Sequence, residues 1–303
     1  MFKKAKVFYI HTVSPMHVGS GSDLGIVDMP IQREGHTGFP KIEASSLKGS
    51  IREAFEQKTK NDVNSLIKTY ITFGYDDTNA PSAVESAFKE KKDKEYAGSL
   101  GFSDGRILLF PVKSAKGIFA WITCPQVLNR YFKDLKISGR DENFEIIKNS
   151  VPDKTSIMID ENNIILEEYQ ISVVKNNNTT KIAEFLSNEL GVDKIKEKLV
   201  ILNDDDFKDF VTLSTEVITR TKIDNSKGTV KDGALFTEEY LPSETIMYSL
   251  VMSSSIIAKV DVIKDLNSED DVLSFFTTNV PSVMQVGGNA TIGKGIVSIK
   301  VGG

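Results

Sequence analysis

Between His17 and Pro40 the chain gathers five glycines, two histidines (His17 and His36), two aspartates (Asp23 and Asp28) and Arg33. Aspartates in such a setting can hold a hard divalent cation or move a proton, and glycines let backbone approach a ligand closely. A loop this long without apolar periodicity is uncommon inside a compact domain unless it is functional or disordered. Leu24, Ile26, Val27, Ile31 and Phe39 give it apolar anchors, which argues for function. Plainer roles stay open for each residue: a loop aspartate also suits a local turn or cap, and either histidine a satisfied structural place. His11, His17 and His36 make a poor zinc set without a cysteine pair. A Ser/His/Asp triad would lack its Gly-x-Ser-x-Gly elbow.

Three other groups of residues suit an anionic polymer. The stretch from Gly287 and Gly288 through Lys294 to Gly295 lacks Walker spacing, yet successive backbone N–H groups plus Lys294 could cradle phosphates. A flexible hairpin turn is the alternative. Lys48 and Arg52, four residues apart on one helix face, suit two neighbouring phosphates or a solvated surface. Arg220, Lys222, Lys227 and Lys231 make a basic arm with Glu238, Glu239 and Tyr240 at its base, able to clamp a nucleic-acid strand.

Composition bounds these readings. The 303 residues are 40% hydrophobic and 26% charged, enough for one large domain or two smaller ones. There is no signal-peptide core, and no run approaches the roughly 18 apolar residues of a membrane span. The single cysteine, Cys124, excludes an internal disulfide, sits in an apolar stretch and fits a reducing, cytoplasmic compartment. Net charge is −5, but residues 141–210 hold 16 Asp/Glu against 8 Lys/Arg, a net of −8, so the remainder carries +3. An acidic segment set apart from a basic functional face follows, with chance scatter as the alternative.

The elements that must position these groups read as follows. Ala5–Val13 alternates as an opening strand, and Ser45-Ser46 offer an N-cap to a helix whose Leu47, Ile51, Ala54 and Phe55 recur at helical spacing. Residues 76–98 look like a solvated insertion. The runs 105–112 and 117–124 read as strands buried on both faces. Residues 126–210 form an insertion or second lobe, with helices at Ile182–Leu190 and from Asp204. Alternation around Asn225-Ser226-Lys227-Gly228 predicts a projecting β-hairpin. Strands at 236–240 and 245–257, a helix at 269–276 and a strand–glycine turn–strand close the chain. Strands mixed with helices, without regular βαβ alternation, predict α+β, with a ferredoxin-like core carrying insertions.

Four stretches, in order, resemble a known family. They are the loop from His17 to Pro40, the helix start Ser45-Ser46-Leu47-Lys48-Gly49-Ser50-Ile51-Arg52, the segment 110–125, and the turn 285–295. Together they are similar to the backbone-subunit family of the type III-B CRISPR effector, the Cmr complex, within the RAMP superfamily. Residues 126–210 carry little of the likeness. The resemblance implies one domain over residues 1–303: an RRM-like (ferredoxin-like) palm, inserted helical fingers, and a thumb hairpin at about 217–242. Insertions fall at about 56–98 and 126–210. It implies copies stacked in a helical filament on crRNA, beside other subunits of the complex. Each thumb would splay the guide–target duplex so that target single-stranded RNA is cleaved at regular intervals.

The resemblance also assigns residues. Asp28 is the expected cleavage residue and the ligand of a divalent metal, Mg²⁺ or Mn²⁺, with His17, Glu238 and Tyr240 as candidate helpers. RNA contacts are expected at Ser46, Lys48, Arg52, Gly287, Gly288 and Lys294, with Arg33 fitting the loop around the RNA backbone. Arg220, Lys222 and Lys227 belong to the thumb. At Gly35 the family commonly has arginine, so one phosphate contact is missing here. An aspartate of ordinary pKa, about 3.9, is a weak base toward a ribose 2′-hydroxyl, so metal ligation suits Asp28 better. Three competing readings stay open: a purely structural RNA-binding subunit, a metal-independent endoribonuclease trimming guide precursors through His17 or His36, and a nucleotide-binding enzyme. The last lacks Walker or Rossmann spacing.

Overall fold

Near-continuous apolar runs in Lys4–Thr12 and Gly105–Ser114 place these strands at the centre of a 13-stranded sheet in the computed structural model. It describes residues 2–21, 25–76, 80–88, 95–224, 226–230, 234–258, 260–261 and 263–303. Four strands form the middle of the sheet, each antiparallel to the next, in the order Gly105–Ser114, Ile246–Ser253, Lys4–Thr12, Ile296–Val301. In sequence, helix Ala44–Thr59 lies between strands Lys4–Thr12 and Gly105–Ser114, and helix Glu269–Asn279 lies between strands Ile246–Ser253 and Ile296–Val301. The architecture is mixed α+β.

Side-chain alternation in Lys4–Thr12 sends neighbouring residues to opposite faces, and both faces are covered. On one, Phe8 meets Phe102 and Phe276 edge-on at 6.1 and 5.8 Å, while Phe276 stacks on Phe55 of helix Ala44–Thr59. On the other, the Tyr9 hydroxyl lies 2.6 Å from that of Tyr131 in helix Pro125–Ile137. Burying each such ring stabilises the fold by about 1.5–3 kcal/mol.

Several expectations need correcting. Ser45 and Ser46 do not cap the first helix: it begins at Ala44, and its flanking residue Glu43 makes no side-chain cap. The free N–H of Ala44 instead donates to Asp104 Oδ1 at 2.9 Å, an acceptor brought from a distant loop. We expect Asp104→Ala to lower stability by about 1 kcal/mol in urea titration, with Asp104→Asn losing less because an acceptor oxygen remains. Residues 76–98 are not simply solvated either. Val84 and Phe88 of helix Ser82–Phe88 are buried, and Phe88 stacks on Tyr75 at 4.2 Å. Residues 77–79 and 89–94 lie outside the described residues.

The stretch 126–210 joins the sheet. Strand Leu199–Ile201 pairs in parallel with Ile118–Thr123, and Ser150–Val151 and Val174–Lys175 extend the edge. Its helix at 182–190 starts earlier, at Asn177, because the Asn176 side chain accepts from the N–H groups of Asn178 and Thr179. Among the described residues no helix is long and apolar enough to cross a membrane.

Candidate functional site

The strand Phe236–Tyr240 organises the site. It pairs antiparallel with Glu216–Arg220 to form the root of the hairpin, and beyond it Ile223–Asp224 pairs with Thr229–Val230. Lys222 and Lys227 are exposed on this arm, while Asn225 and Lys231 lie outside the described residues. Because the side-chain period of a strand is two, Thr237 and Glu239 point one way and Glu238 and Tyr240 the other.

The first direction leads to the long loop. A bridge pairs Met29 with Glu238, and the backbone N–H and hydroxyl of Thr237 donate to Asp28 Oδ2 at 2.7 and 2.8 Å. These bonds, the backbone one foremost, hold the exposed Asp28 carboxyl below its ordinary range, so it is ionised at neutral pH. One residue pair along, Glu239 accepts from the N–H of Ile31 at 3.0 Å, from Arg33 at 2.5 Å and from Thr215 at 2.7 Å. Arg33 also donates to the carbonyls of Gly38 and Val211. Its guanidinium therefore fastens the loop to the hairpin root. Asp23 lies outside the described residues.

The second direction leads to the C-terminal glycine turn. Glu238, 3% exposed, accepts from Arg220 and from the Tyr240 hydroxyl, each at 2.5 Å to Oε2, and from Asn289 at 2.6 Å to Oε1. Burial raises the Glu238 carboxyl, but the bonds from Tyr240, Asn289 and Arg220 together outweigh it and leave the group below its usual range. His17, 5% exposed, donates Nδ1–H to the Glu239 carbonyl at 2.7 Å, and its Nε2 stands 3.6 Å from Glu238 Oε1. Lys294 lies over the Tyr240 ring, 4.9 Å from its centre. His17, Glu238 and Tyr240 thus come together, while Asp28 is tied to the opposite face of the same strand.

The glycine turn is built on close approach. Gly287 and Gly295 have φ of +83° and +73°, and a Cβ there would stand 2.2 Å from the His17 carbonyl and 2.1 Å from that of Val286. The N–H groups of Gly288 and of Ile292 through Gly295 are spent inside the protein. What the turn can offer a phosphate is therefore concentrated in Lys294 and the remaining backbone donors around Asn289. On the first helix, Lys48 donates to the Leu100 carbonyl at 3.0 Å and Arg52 pairs with Glu56 at 2.7 Å. Both line an open groove of about 530 Å³, and burial, then the charge of Arg52, lowers the Lys48 pKa. Ser46 lies in the first turn of that helix, where its carbonyl accepts from Ser50.

The other candidates have separate partners: His11 meets Glu244 at 3.0 Å, and the exposed His36 is 4.0 Å from Glu34. Cys124 is buried, which pushes its thiol pKa up, as for a structural residue. Sequence reading missed Thr237 and Asn289. Period-two alternation was the available signal for Thr237, whereas Asn289 looked like one more turn residue. Among the described residues no group of three His, Cys, Asp or Glu could hold a metal ion. The exposed Asp28 carboxylate is the kind of oxygen ligand a hard divalent cation takes, but such an ion would have to draw its other ligands from water or a bound ligand.

With this geometry in hand, likeness to known proteins is informative. A family model described as the RAMP superfamily matches residues 9–298. A Pyrococcus furiosus protein named CRISPR system Cmr endoribonuclease Cmr4 is 36% identical over 308 residues, covering 98% of this chain and 95% of that protein. The crystal structure of oligomeric Cmr4 from Pyrococcus furiosus matches with a TM-score of 0.71 at 30% identity, covering 98% of each chain. A type III-B Cmr-beta structure bound to cognate target RNA gives 0.74 at 23% identity, over 99% of this chain and 98% of that one, which is a likeness of fold. The chain belongs to the RAMP superfamily and, within it, to the Cmr4 family.

Proposed function

We propose that this chain is the crRNA-binding backbone subunit of a type III-B CRISPR effector, stacking with copies of itself and beside other Cmr subunits, and cutting target RNA as a metal-dependent endoribonuclease. The observation that carries this is an ionised, exposed Asp28 braced at the hairpin root, in a chain alike over its full length to a protein named an endoribonuclease. The order of the four central strands and two helices supports a ferredoxin-like, RRM-like palm. Residues 126–210 are the fingers and 217–242 the thumb, acting in the cytoplasm. Lys48, Arg52, Ser46, Gly287, Gly288 and Lys294 hold the guide backbone. Lys222 and Lys227 meet RNA along the thumb.

The reaction we assign is in-line attack of a ribose 2′-oxygen on the adjacent phosphorus. The bond to the 5′-oxygen breaks as the new bond forms, leaving a 2′,3′-cyclic phosphate and a 5′-hydroxyl; one proton lost at the first oxygen balances one gained at the second. Asp28 would hold a divalent ion, which supplies charge stabilisation at the scissile phosphate. Thr237 fixes the carboxylate's orientation, and its low pKa keeps it in the ligating form. A metal-independent trimming reaction through His17 is disfavoured by burial of that ring. In the guide-loaded assembly we expect EDTA to abolish target cleavage and Mg²⁺ or Mn²⁺ to restore it; cutting that survives EDTA would overturn metal dependence.

A further inference from the structure

The buried cluster behind the hairpin root has a member with no role assigned so far. Asn289 sits in the glycine turn with a left-handed backbone, φ +65°, a conformation asparagine tolerates better than most residues. Its amide donates to Glu238 Oε1 at 2.6 Å and to the Tyr240 hydroxyl at 2.9 Å. Both acceptors belong to one hairpin strand. Arg220, on the paired strand, donates to Glu238 Oε2 and to the Tyr240 hydroxyl. A single buried carboxylate is therefore grasped from the turn on one side and from the far hairpin strand on the other. On the reading above, the turn bears guide-holding Lys294 and the hairpin is the element that splays the duplex.

We propose that Asn289 is a positioning residue, which with Arg220 locks the hairpin root to the glycine turn through Glu238 and so sets the hairpin's attitude to the bound guide. The proposal rests on the guide-and-cleavage function proposed above. Asn289 touches no reacting atom. It acts by removing a rocking freedom of the hairpin, and Arg220 serves the same lock rather than the RNA. Both oxygens of Glu238 are occupied by these donors, which leaves the group as the hub of a brace and not as an acid or base in exchange with solvent.

The experiment uses the full guide-loaded assembly and follows guide affinity, target affinity, single-turnover cleavage at saturating target, and amide hydrogen exchange of residues 216–220 and 236–240. Asn289→Gly accommodates the left-handed backbone, keeps the backbone N–H and removes the side-chain amide. It should bind guide as the wild type does, cut about tenfold more slowly, and exchange faster across the hairpin root. Asn289→Asp sets a carboxylate against Glu238 and should do worse. Adding Glu238→Gln to Asn289→Asp reverses donor and acceptor and should recover cleavage beyond either single variant. Wild-type cleavage and exchange in Asn289→Gly, a loss explained wholly by weaker guide binding, or no recovery in the double variant would each overturn the proposal. Asp28→Ala run in parallel isolates the underlying reading: if that variant still cuts, the cleavage assignment fails whatever Asn289 does.

Discussion

Asp28→Ala is expected to leave guide and target binding intact while cleavage of target RNA falls by about 100-fold or more. The carboxylate is exposed and, among the described residues, accepts from Thr237 alone, so its removal leaves no buried partner stranded there. Thr237 is free to bond water instead. The variant should therefore fold, assemble and retain target, which an electrophoretic binding assay on the assembled complex can establish before cleavage is scored. Regularly spaced cuts at wild-type rate would remove Asp28 from the chemistry. The low pKa adds a second check. Because Asp28 stays ionised above the ordinary carboxylate range, titration of this group should not contribute to the cleavage–pH profile above about pH 5.

A target carrying one 2′-deoxy nucleotide at a cut position should lose that cut and keep the others. The attacking oxygen comes from the substrate in the proposed reaction, so its absence removes the nucleophile while every protein contact remains. The effect should be complete at that position, and gel mapping of the fragments would read it directly. Cleavage of an all-deoxy target would require water as the nucleophile and would sink the 2′-hydroxyl mechanism. The pair of experiments separates what the protein supplies from what the RNA supplies.

Much of this arrangement was legible in the residues. The central strands announced themselves by apolar runs, and the hairpin by alternation around a turn, because local periodicity decides such elements. The loop and glycine turn stood out because few other segments combine glycines with charge. What stayed hidden depends on contacts distant in sequence. Nothing local indicates that Asp104 caps a helix starting at Ala44, or that Asn289 reaches Glu238. Arg33 and Lys48 read as open cations, yet tertiary folding brings a carboxylate to the first and a carbonyl to the second, while Arg52 is already paired with Glu56 one helical turn away. The stretch 126–210 was obscure for the same reason: its short strands gain their meaning only by joining the sheet edge.

The strand Phe236–Tyr240 sends alternate residues toward Asp28 and toward the glycine turn, and this imposes a parity rule on the hairpin. Lengthening its tip beyond Arg220 and Phe236 leaves both sets of contacts untouched, so reach along RNA is free to vary. A single residue added between Thr237 and Glu238 would put these two side chains on the same face, so the strand could no longer meet Asp28 and the glycine turn at once. Two added residues would restore the facing but shift the two anchorages apart. Tip length is thus an adjustable dimension of this molecule, while the root behaves as a fixed gauge.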